Sequence, residues 1–176
     1  IEGLDVAPAT INLVGAEVEL VASIAREFKL KRALEKLPPE AYDMVLLDCP
    51  PSLDLLTLNA LTAADELLIP IQCEYYALEG LTQLMQSVKM VREELNPGLK
   101  VGGVLLTMFD PRTNLAHEVA EEVRSFFGDL VFHTIVPRNV RLSEAPSFGL
   151  PIALYAPKST GAEAYAAVAE EVLSRG

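Results

Sequence analysis

Apolar residues recur along this chain with two different periods. Where they follow one another without interruption they predict buried strands, at residues 4–7, 44–47, 66–71, 101–107 and 131–136. Where they recur every three or four residues they predict helices, at 12–28, 30–37, 54–63, 78–95, 113–127 and 160–173, with a helical turn at 141–146. This alternation predicts an α/β fold, with a doubly wound, mostly parallel sheet and helices on both faces.

The composition is that of a chain with a buried core. Of the 176 residues, 51% are hydrophobic, which suits a single domain spanning residues 1–176. No apolar run approaches the ~20 residues that cross a bilayer, and nothing resembles a signal peptide, so we expect a cytoplasmic protein without membrane contact. Both cysteines, Cys49 and Cys73, fall in or beside predicted strands, which favours reduced thiols that serve packing.

The charge balance restricts how this chain could contact nucleic acid. Fourteen basic residues against 25 acidic ones give a net charge of −11, the wrong sign for binding DNA through bulk charge. Any DNA contact therefore needs a local group of basic residues, and several arginines lie on the loops of the C-terminal half.

The stretch YDMVLLDCPPSLDLLTLNAL, residues 42–61, carries the first candidate chemistry. Asp48 ends the apolar run 44–47, and a carboxylate at the C-terminal end of a parallel strand points into the crevice where α/β sheets bind ligands. An apolar strand that ends in aspartate is the Walker B element of P-loop NTPases, whose carboxylate holds Mg²⁺. The alternative is that Asp48 only caps the next turn. Pro50 and Pro51 stiffen the turn in either case.

Four segments resemble one known family in its order along the chain. They are DCPPSLDLLTLNAL at 48–61, IPIQCEYYALEGL at 69–81, LLTMFDPRTNLA at 105–116 and VPRNVRLSEAPSFGLP at 136–151. Together with LDVAPATINLVGAEVEL at 4–20 and STGAEAYAAVAEEV at 159–172, they are similar to the Soj/ParA family of partition ATPases, which have the deviant Walker A type of P-loop NTPase fold.

One family motif does not occur in these residues. Members of the family carry a phosphate loop of the form KGGVGKTT near their N-terminus, whereas no GxxxxGK[ST] is found here. The resemblance therefore implies the C-terminal two-thirds of a longer ATPase, with Ile1 not a natural start. The catalytic lysine of the phosphate loop would lie outside this chain, and the chain alone is expected not to hydrolyse ATP.

The resemblance assigns roles to residues at the strand ends. It implies that Asp48 is the Mg²⁺-associated acid and that the segment after it is switch II. It implies that two loops flank the adenine and that two arginines contact DNA, although both arginines could instead pair with carboxylates such as Glu144. The residues concerned are Pro50, Pro51 and Ser52 in switch II, Thr107, Met108, Pro137, Arg138 and Asn139 around the nucleotide, and Arg112 and Arg141 for DNA.

The function that the resemblance implies is chromosome or plasmid partition. ATP and Mg²⁺ would drive a homodimer that binds DNA non-specifically on the nucleoid, and a ParB/Spo0J-type centromere-binding partner would stimulate hydrolysis. A MinD-like cell-division ATPase is the nearest alternative. That group ends in a basic amphipathic helix, which the terminal EEVLSRG does not resemble. A nucleotide-free adaptor that keeps only the dimer or partner surface is the alternative from another class.

Overall fold

The computed structural model describes residues 1–10, 12–50, 52–75 and 77–175, apart from the side chains of residues 14 and 77–79. The strands are β1 (Glu66–Gln72) and β2 (Lys100–Thr107). The α-helices are α1 (Asn12–Val21), α2 (Lys29–Leu34), α3 (Leu55–Ala63), α4 (Ala77–Glu94), α5 (Asn114–Phe127), α6 (Val140–Glu144), α7 (Ile152–Tyr155) and α8 (Thr160–Arg175). Short 3₁₀ turns lie at Arg26–Phe28, Gly128–Leu130 and Ala145–Phe148.

The chain divides into two compact units, which are described separately. The first contains residues 1–65 and 87–99, and the second contains residues 66–86 and 100–176. That all 176 residues form one domain stays a prediction. In the described part of the chain, no helix combines the length and the apolar character needed to cross a bilayer.

The second unit is built on parallel pairing around β2. Its strand β1 aligns with β2 from Glu66 opposite Lys100 to Gln72 opposite Thr107, with one irregularity near the start. On the other edge of β2 runs the segment 131–137, which makes parallel bridges at its two ends. The strand order is therefore β1, β2 and then this third segment.

The side chains of β2 alternate between two apolar layers, as the strand period requires. Val104 and Leu106 pack with residues of β1 and with α5, in a cluster that includes Ile69, Ile71, Leu81, Val119 and Val123. Leu105 faces the opposite layer, where it packs with Phe132, Val136 and Val168 of α8. The predicted α/β architecture, a parallel sheet with helices on both faces, is confirmed.

The amide side chains of Asn59 and Asn96 connect the helices of the first unit. Asn59 of α3 is only 4% exposed. Its amide nitrogen donates to the carbonyls of Arg26 and Leu55, and its oxygen accepts from the Leu30 amide. Asn96 donates to the carbonyls of Leu61 and Ala64, which satisfies acceptors left open at the C-terminal end of α3.

Two predicted strands are absent from the described structure. Residues 4–7 and 44–47 are irregular, and Met44, Val45 and Leu46 are 49, 50 and 83% exposed rather than buried. A strand is stable only where a neighbouring strand satisfies its amides and carbonyls, and in the described residues neither segment has such a partner. The apolar pattern is present in both segments, but a strand conformation depends on non-local pairing that the pattern does not supply.

Two further predictions need correction. The helix predicted over 12–28 ends at Val21, and Ala25, in a left-handed conformation (φ 51°) that a helix does not continue through, separates it from the 3₁₀ turn at Arg26–Phe28. The strand predicted over 131–136 is reduced to bridges at Val131 and Pro137. Its middle departs from β2 because residues His133 and Thr134 direct their amides to a side chain instead of to the sheet.

A close approach on β2 gives a test of this packing. A Cβ added at Gly103 would overlap with Cε2 of the buried Phe132 ring, so Gly103→Ala must displace an aromatic core residue. We expect a loss of about 1–3 kcal/mol in the free energy of unfolding, measured by urea denaturation.

The neighbouring glycine provides the matched control. A Cβ at Gly102 would meet mainly the carboxylate of Glu66, 2.5 Å away, which can swing aside. Equal losses for Gly102→Ala and Gly103→Ala would mean that strand propensity, and not contact with Phe132, determines the cost.

Candidate functional site

Two strand-end loops of the second unit lie side by side. The amide of Phe109 donates to the Val136 carbonyl at 3.2 Å, and the Arg138 amide donates to the Phe109 carbonyl at 2.9 Å. At the end of β2, the Thr107 hydroxyl donates to the Ile71 carbonyl at 3.2 Å. The structure thus brings together the two loops that were predicted to flank a nucleotide base, Thr107-Met108 and Pro137-Arg138-Asn139.

The first loop turns sharply at Met108. This residue has φ 54°, in the left-handed region that costs a residue with a side chain of order 1 kcal/mol or more. Directly after it, the Phe109 ring packs edge-on against His117 of α5, with the ring centroids 5.1 Å apart. His117 also lies 3.1 Å from the Pro111 carbonyl through Nε2. The loop conformation is therefore supported by α5.

The second loop ends in a helix cap. The Asn139 side-chain oxygen accepts from the Arg141 amide at 2.8 Å and so begins α6. The Asn139 amide nitrogen donates to the Thr160 hydroxyl at 2.7 Å. Most of the polar capacity of this side chain is already used within the protein, so any base recognition here rests on the remaining N–H and on the main chain.

Two arginines lie in the neighbourhood of Asp110 beside these loops, and Arg112 is hydrogen-bonded to it. Arg112 donates to the Asp110 carboxylate through Nε at 2.9 Å and through Nη2 at 2.7 Å. The pKa of Asp110 lies far below its usual range because of the Arg112 side chain, then the Arg112 amide, with a contribution from Arg138. Arg138 is itself paired with Glu74. The Arg112 side chain is 84% exposed, so it can reach an external anion.

Arg141 lies in a similar small network. Its Nη1 donates to Oε2 of Glu144 at 2.8 Å, and the Tyr155 hydroxyl donates to the same oxygen at 3.1 Å. The alternative considered from the sequence, that these arginines pair with carboxylates, therefore describes both of them in this structure. Such exposed pairs contribute little to stability and can exchange for a phosphate at little cost.

A carboxylate of α8 fixes the backbone that leads into the second loop. Glu171 accepts from the amides of His133 at 2.8 Å and Thr134 at 3.0 Å, and its Oε1 accepts from Arg175 at 2.7 Å. Burial by itself would raise the pKa of Glu171, but the Thr134 and His133 amides and Arg175 outweigh it and lower the pKa to about 2. This carboxylate is therefore ionised and fully engaged at neutral pH.

The Asp48 segment belongs to the first unit. Asp48 is exposed and does not cap α3, because that cap is Asp54, whose carboxylate accepts from the Thr57 amide at 2.9 Å. The Ser52 hydroxyl donates to the other Asp54 oxygen at 2.5 Å. Pro50 is exposed, and Pro51 lies outside the described residues. Asp48 is thus left available for a ligand.

The cysteine next to Asp48 has no sign of activation. Desolvation raises the pKa of the Cys49 thiol, and the negative charges of Asp48 and Asp54 raise it further. A thiol with a raised pKa is mostly protonated at neutral pH and is a poor nucleophile.

Asp48 meets part of the ligand requirement of Mg²⁺. In nucleotide sites this ion takes one or two protein carboxylates, and phosphates and waters complete its octahedron. Asp48 can supply one such carboxylate. In the described ranges no group of three or more His, Cys, Asp or Glu side chains is placed to hold a metal. One exposed carboxylate, that of Asp48, is compatible with an ion whose other ligands come from a nucleotide and water.

A family model and individual relatives of known function point to the same family for this chain. The family model described as an AAA domain matches residues 1–101. Over 176 residues the chain is 60% identical to the sporulation initiation inhibitor protein Soj of Bacillus subtilis, covering all of this chain and 69% of that protein. Over 172 residues it is 61% identical to the chromosome partitioning protein ParA of Myxococcus xanthus, covering 98% of this chain and 60% of that protein.

The chain belongs to the Soj/ParA family of chromosome-partitioning ATPases. It spans about 60–69% of the length of these two members of the family. Activities of whole Soj/ParA proteins are therefore matters for proposal in this chain.

Solved structures support the same fold. Cobyrinic acid a,c-diamide synthase from Mycobacterium smegmatis, with bound ADP and magnesium, aligns with a TM-score of 0.77 and 39% identity, over 94% of this chain and 60% of that one. The cell division ATPase MinD from Pyrococcus furiosus aligns with a TM-score of 0.68 and 25% identity, over 85% of this chain and 59% of that one.

Three carboxylates that organise these segments escaped prediction. Asp54 had a recognisable signal, since an aspartate before an apolar periodic run is a typical N-cap. Glu171 and Arg175 have the spacing of a surface i,i+4 pair, and nothing in the linear sequence connects them to residues 133–134. Glu74 follows β1 and meets Arg138 across 64 positions, so its role is likewise non-local.

The different roles of Asp48 and Asp54 can be distinguished by how much each contributes to the stability of the chain. We expect Asp54→Ala to lower the free energy of unfolding by about 1 kcal/mol through loss of the α3 cap, whereas exposed Asp48→Ala should change it by less than about 0.5 kcal/mol. Urea denaturation of both variants checks this.

The cap also predicts a pH dependence. The Ser52 hydroxyl and then the Thr57 amide lower the pKa of Asp54 in the folded chain. Its contribution is therefore complete above a pH of about 4 and is lost as the pH falls through the lowered value. A difference between parent and Asp54→Ala that persists undiminished in acid would contradict this.

Proposed function

We propose that this chain forms the base-binding and DNA-contacting part of an ATP-dependent chromosome-partitioning ATPase of Soj/ParA type. The observation that carries the proposal is the pair of hydrogen-bonded loops at Phe109, with Arg112 and Arg138 around Asp110 beside them. A strand-end crevice in an α/β sheet is the usual place for a nucleotide, and exposed arginines next to it suit a polyanion.

The proposed cofactors are ATP and Mg²⁺. Hydrolysis is proposed for the full-length protein, because this chain contains no GxxxxGK[ST] phosphate loop. In this proposal Asp48 helps to hold the Mg²⁺, with Pro50, Pro51 and Ser52 as the switch II segment that responds to the terminal phosphate. Support comes from the Mycobacterium smegmatis structure of the same fold, which holds ADP and magnesium.

The nucleotide base would lie between the two loops. Thr107 and Met108 would bound it on one side, and the Pro137-Arg138-Asn139 loop on the other. Pro137 offers an apolar face to an adenine ring, and main-chain groups offer donors and acceptors to its edge. The capped geometry of Asn139 supports this arrangement, because it holds the loop in one conformation before any ligand arrives.

The proposed macromolecular partners follow from the arginines. Arg112 and Arg141 would contact DNA phosphates without reading sequence, since each is a single exposed charge on a chain of net charge −11. Two copies would bind far better than one, so a nucleotide-held homodimer would couple DNA affinity to ATP. A ParB-type partner would stimulate hydrolysis and release the dimer. These roles place the protein in the cytoplasm, on the nucleoid.

The MinD group supplies a second candidate function, division-site placement on a membrane. The observation in its favour is the structural match to the Pyrococcus furiosus ATPase. Its identity of 25% is well below the 60% shared with the Soj protein, which favours partition. Sedimentation with anionic lipid vesicles in the presence of ATP would reveal membrane binding, and binding of vesicles but not DNA would favour the MinD function.

The DNA proposal is tested by the salt dependence of binding. With the full-length protein, ATP and a random-sequence duplex, we expect Arg112→Ala to weaken binding. The slope of log affinity against log salt should become shallower by about 0.9 for each phosphate that is no longer neutralised, or about 1.8 for a dimer. Fluorescence anisotropy over a salt series measures both quantities.

Arg124→Ala is the matched control for this experiment. Arg124 is exposed near the end of α5 in the same unit, so its loss removes an equal charge from a different place. Equal slopes for the two variants would show that only net charge matters and would contradict a contact by Arg112. Absence of ATP-dependent DNA binding in the parent protein would overturn the partition proposal and leave the adaptor function.

The metal role of Asp48 has its own test. In the full-length protein, Asp48→Asn should raise the Mg²⁺ concentration that gives half-maximal ATP hydrolysis by about 10–100-fold, because the ion loses a protein carboxylate. Asp43→Asn is the control, since Asp43 is an exposed acidic residue of the same segment. An unchanged Mg²⁺ requirement in Asp48→Asn would exclude Asp48 as a ligand.

A further inference from the structure

The backbone that leads into the Pro137-Arg138-Asn139 loop contains an insertion relative to regular parallel pairing. The Phe132 amide donates to the Val104 carbonyl at 2.8 Å, and the next amide to reach β2 is that of Val136, which donates to the Leu106 carbonyl at 2.9 Å. In a regular ladder an advance of two residues on one strand matches two on its neighbour. Here the segment 131–137 advances by four residues, from Phe132 to Val136, while β2 advances by only two, from Val104 to Leu106.

The backbone amides of the inserted residues find their hydrogen-bond acceptor in one side chain. His133 and Thr134 donate their amides to the two carboxylate oxygens of Glu171, at 2.8 and 3.0 Å. Half-buried amides such as that of Thr134 rarely remain unpaired, so an acceptor at this place stabilises the insertion. Glu171 lies on α8, whose Val168 packs in the same layer as Phe132 and Val136.

The insertion determines which residues reach the candidate base site. Because of it, Pro137 forms the bridge opposite Phe109. With the turn at Met108 kept as it is, regular pairing after Phe132 would place Ile135 there instead, and the loop would be displaced by two residues, about 6.6 Å along the strand. Because the shift is by an even number of residues, each side chain would still point to the same face of the sheet, but the loop itself would lie in a different place.

Arg175 holds the carboxylate in this position. Its Nη2 donates to Oε1 of Glu171 at 2.7 Å and to the Val131 carbonyl at 3.1 Å, and its Nη1 donates to the carbonyls of Asp129 and Leu130 at 3.2 Å. The guanidinium carbon lies 4.2 Å from the centre of the Phe132 ring. The pair thus engages carbonyls before the insertion and amides within it.

We propose that Glu171 is a positioning residue for nucleotide base recognition, because it stabilises the two-residue insertion that places Pro137-Arg138-Asn139 beside Phe109. It touches no ligand and acts through the backbone. The inference rests on the proposed function only for the identity of the ligand, and the position of the loop can be measured without any ligand.

The first measurement is on the unliganded chain. In Glu171→Gln one side-chain oxygen is replaced by an NH₂ group, which cannot accept an amide hydrogen bond. We expect the backbone amide resonances of Phe109, Arg138 and Asn139 to shift in ¹⁵N NMR spectra, and their hydrogen exchange to become faster. Glu170→Gln removes the same charge from the adjacent, exposed position and should leave these resonances unchanged.

The second measurement is on the full-length protein with ATP and GTP. Displacement of the base loop should weaken ATP binding by about 10–100-fold. GTP binding should change by less than about twofold, because phosphate contacts are untouched. Titration with fluorescent analogues of both nucleotides, well below the melting temperature of the variant, gives the ratio. Glu171→Asp, which keeps both oxygens on a shorter side chain, should be intermediate and serves if Glu171→Gln does not fold.

The outcomes separate the two proposals. The positioning role would be overturned if the resonances of Phe109, Arg138 and Asn139 did not move in Glu171→Gln. It would also be overturned if the variant had a lower melting temperature but an unchanged ratio of ATP to GTP affinity. Either result would leave Glu171 as a stabilising residue only. A parent protein that binds no ATP while the loop still moves in Glu171→Gln would overturn the proposed function and, with it, the assignment of the loop to a base.

Discussion

The requirement that buried backbone groups find partners governs the second unit. Its strand β2 lies between two neighbours, and Val104 and Leu106 at its centre are fully buried, so its amides and carbonyls have only the sheet to bond with. In the segment 131–137, the amides of Phe132 and Val136 donate to carbonyls of β2. Two amides between them donate to Glu171. One helix thereby completes the pairing of a strand that is not regular by itself.

The position of both candidate loops follows from this pairing. Phe109 is anchored by Val136 and Arg138, and Asn139 begins α6 immediately afterwards. The helix α8 contacts this segment at both of its ends, through Thr160 near its start and through Glu171 and Arg175 near its finish. A loop held at so many points loses little conformational freedom when a ligand binds, and a small ordering cost favours affinity.

The arginines next to these loops explain how an acidic chain could bind a polyanion weakly and reversibly. Arg112, Arg138 and Arg141 are each paired with a nearby carboxylate, Asp110, Glu74 and Glu144 respectively. In the proposed DNA contact, exchange of an exposed carboxylate for a phosphate would change the free energy little, and the released carboxylate would then repel the DNA. A single copy would therefore bind poorly, and affinity would depend on how many copies act together.

Much of the fold was accessible from the sequence because it depends on local pattern. Helices α3, α4, α5 and α8 and strands β1 and β2 lie where periodicity placed them, to within a few residues. Ser159, directly before the last helix, accepts the Ala162 amide, as a serine at a helix start commonly does. The break at Ala25 and the insertion at residues 133–134 were missed because a left-handed residue and a distant acceptor leave no period in the sequence.

The candidate site was predictable to a smaller extent, for the same reason. Resemblance located Thr107, Met108 and the Pro137-Arg138-Asn139 loop, and the structure shows these segments hydrogen-bonded to each other at Phe109. It did not show that Asn139 serves first as a helix cap, and it gave the pairing of Arg112 and Arg141 with carboxylates only as the alternative to DNA contact. Competing contacts of this kind depend on side-chain geometry, which a linear motif does not contain.

The Asp48 segment shows how a predicted site can depend on a predicted strand. Asp48 faces a ligand crevice only if residues 44–47 form a parallel strand, and in this structure that apolar run is exposed and unpaired. Pairing would bury Met44, Val45 and Leu46, and burial of each such side chain is worth roughly 1.5–3 kcal/mol. The same event would orient the carboxylate, so in the proposed function the strand and the metal site would form in a single step. A nucleotide with its Mg²⁺ would then stabilise the strand, because a ligand that binds only the paired state shifts the equilibrium toward it.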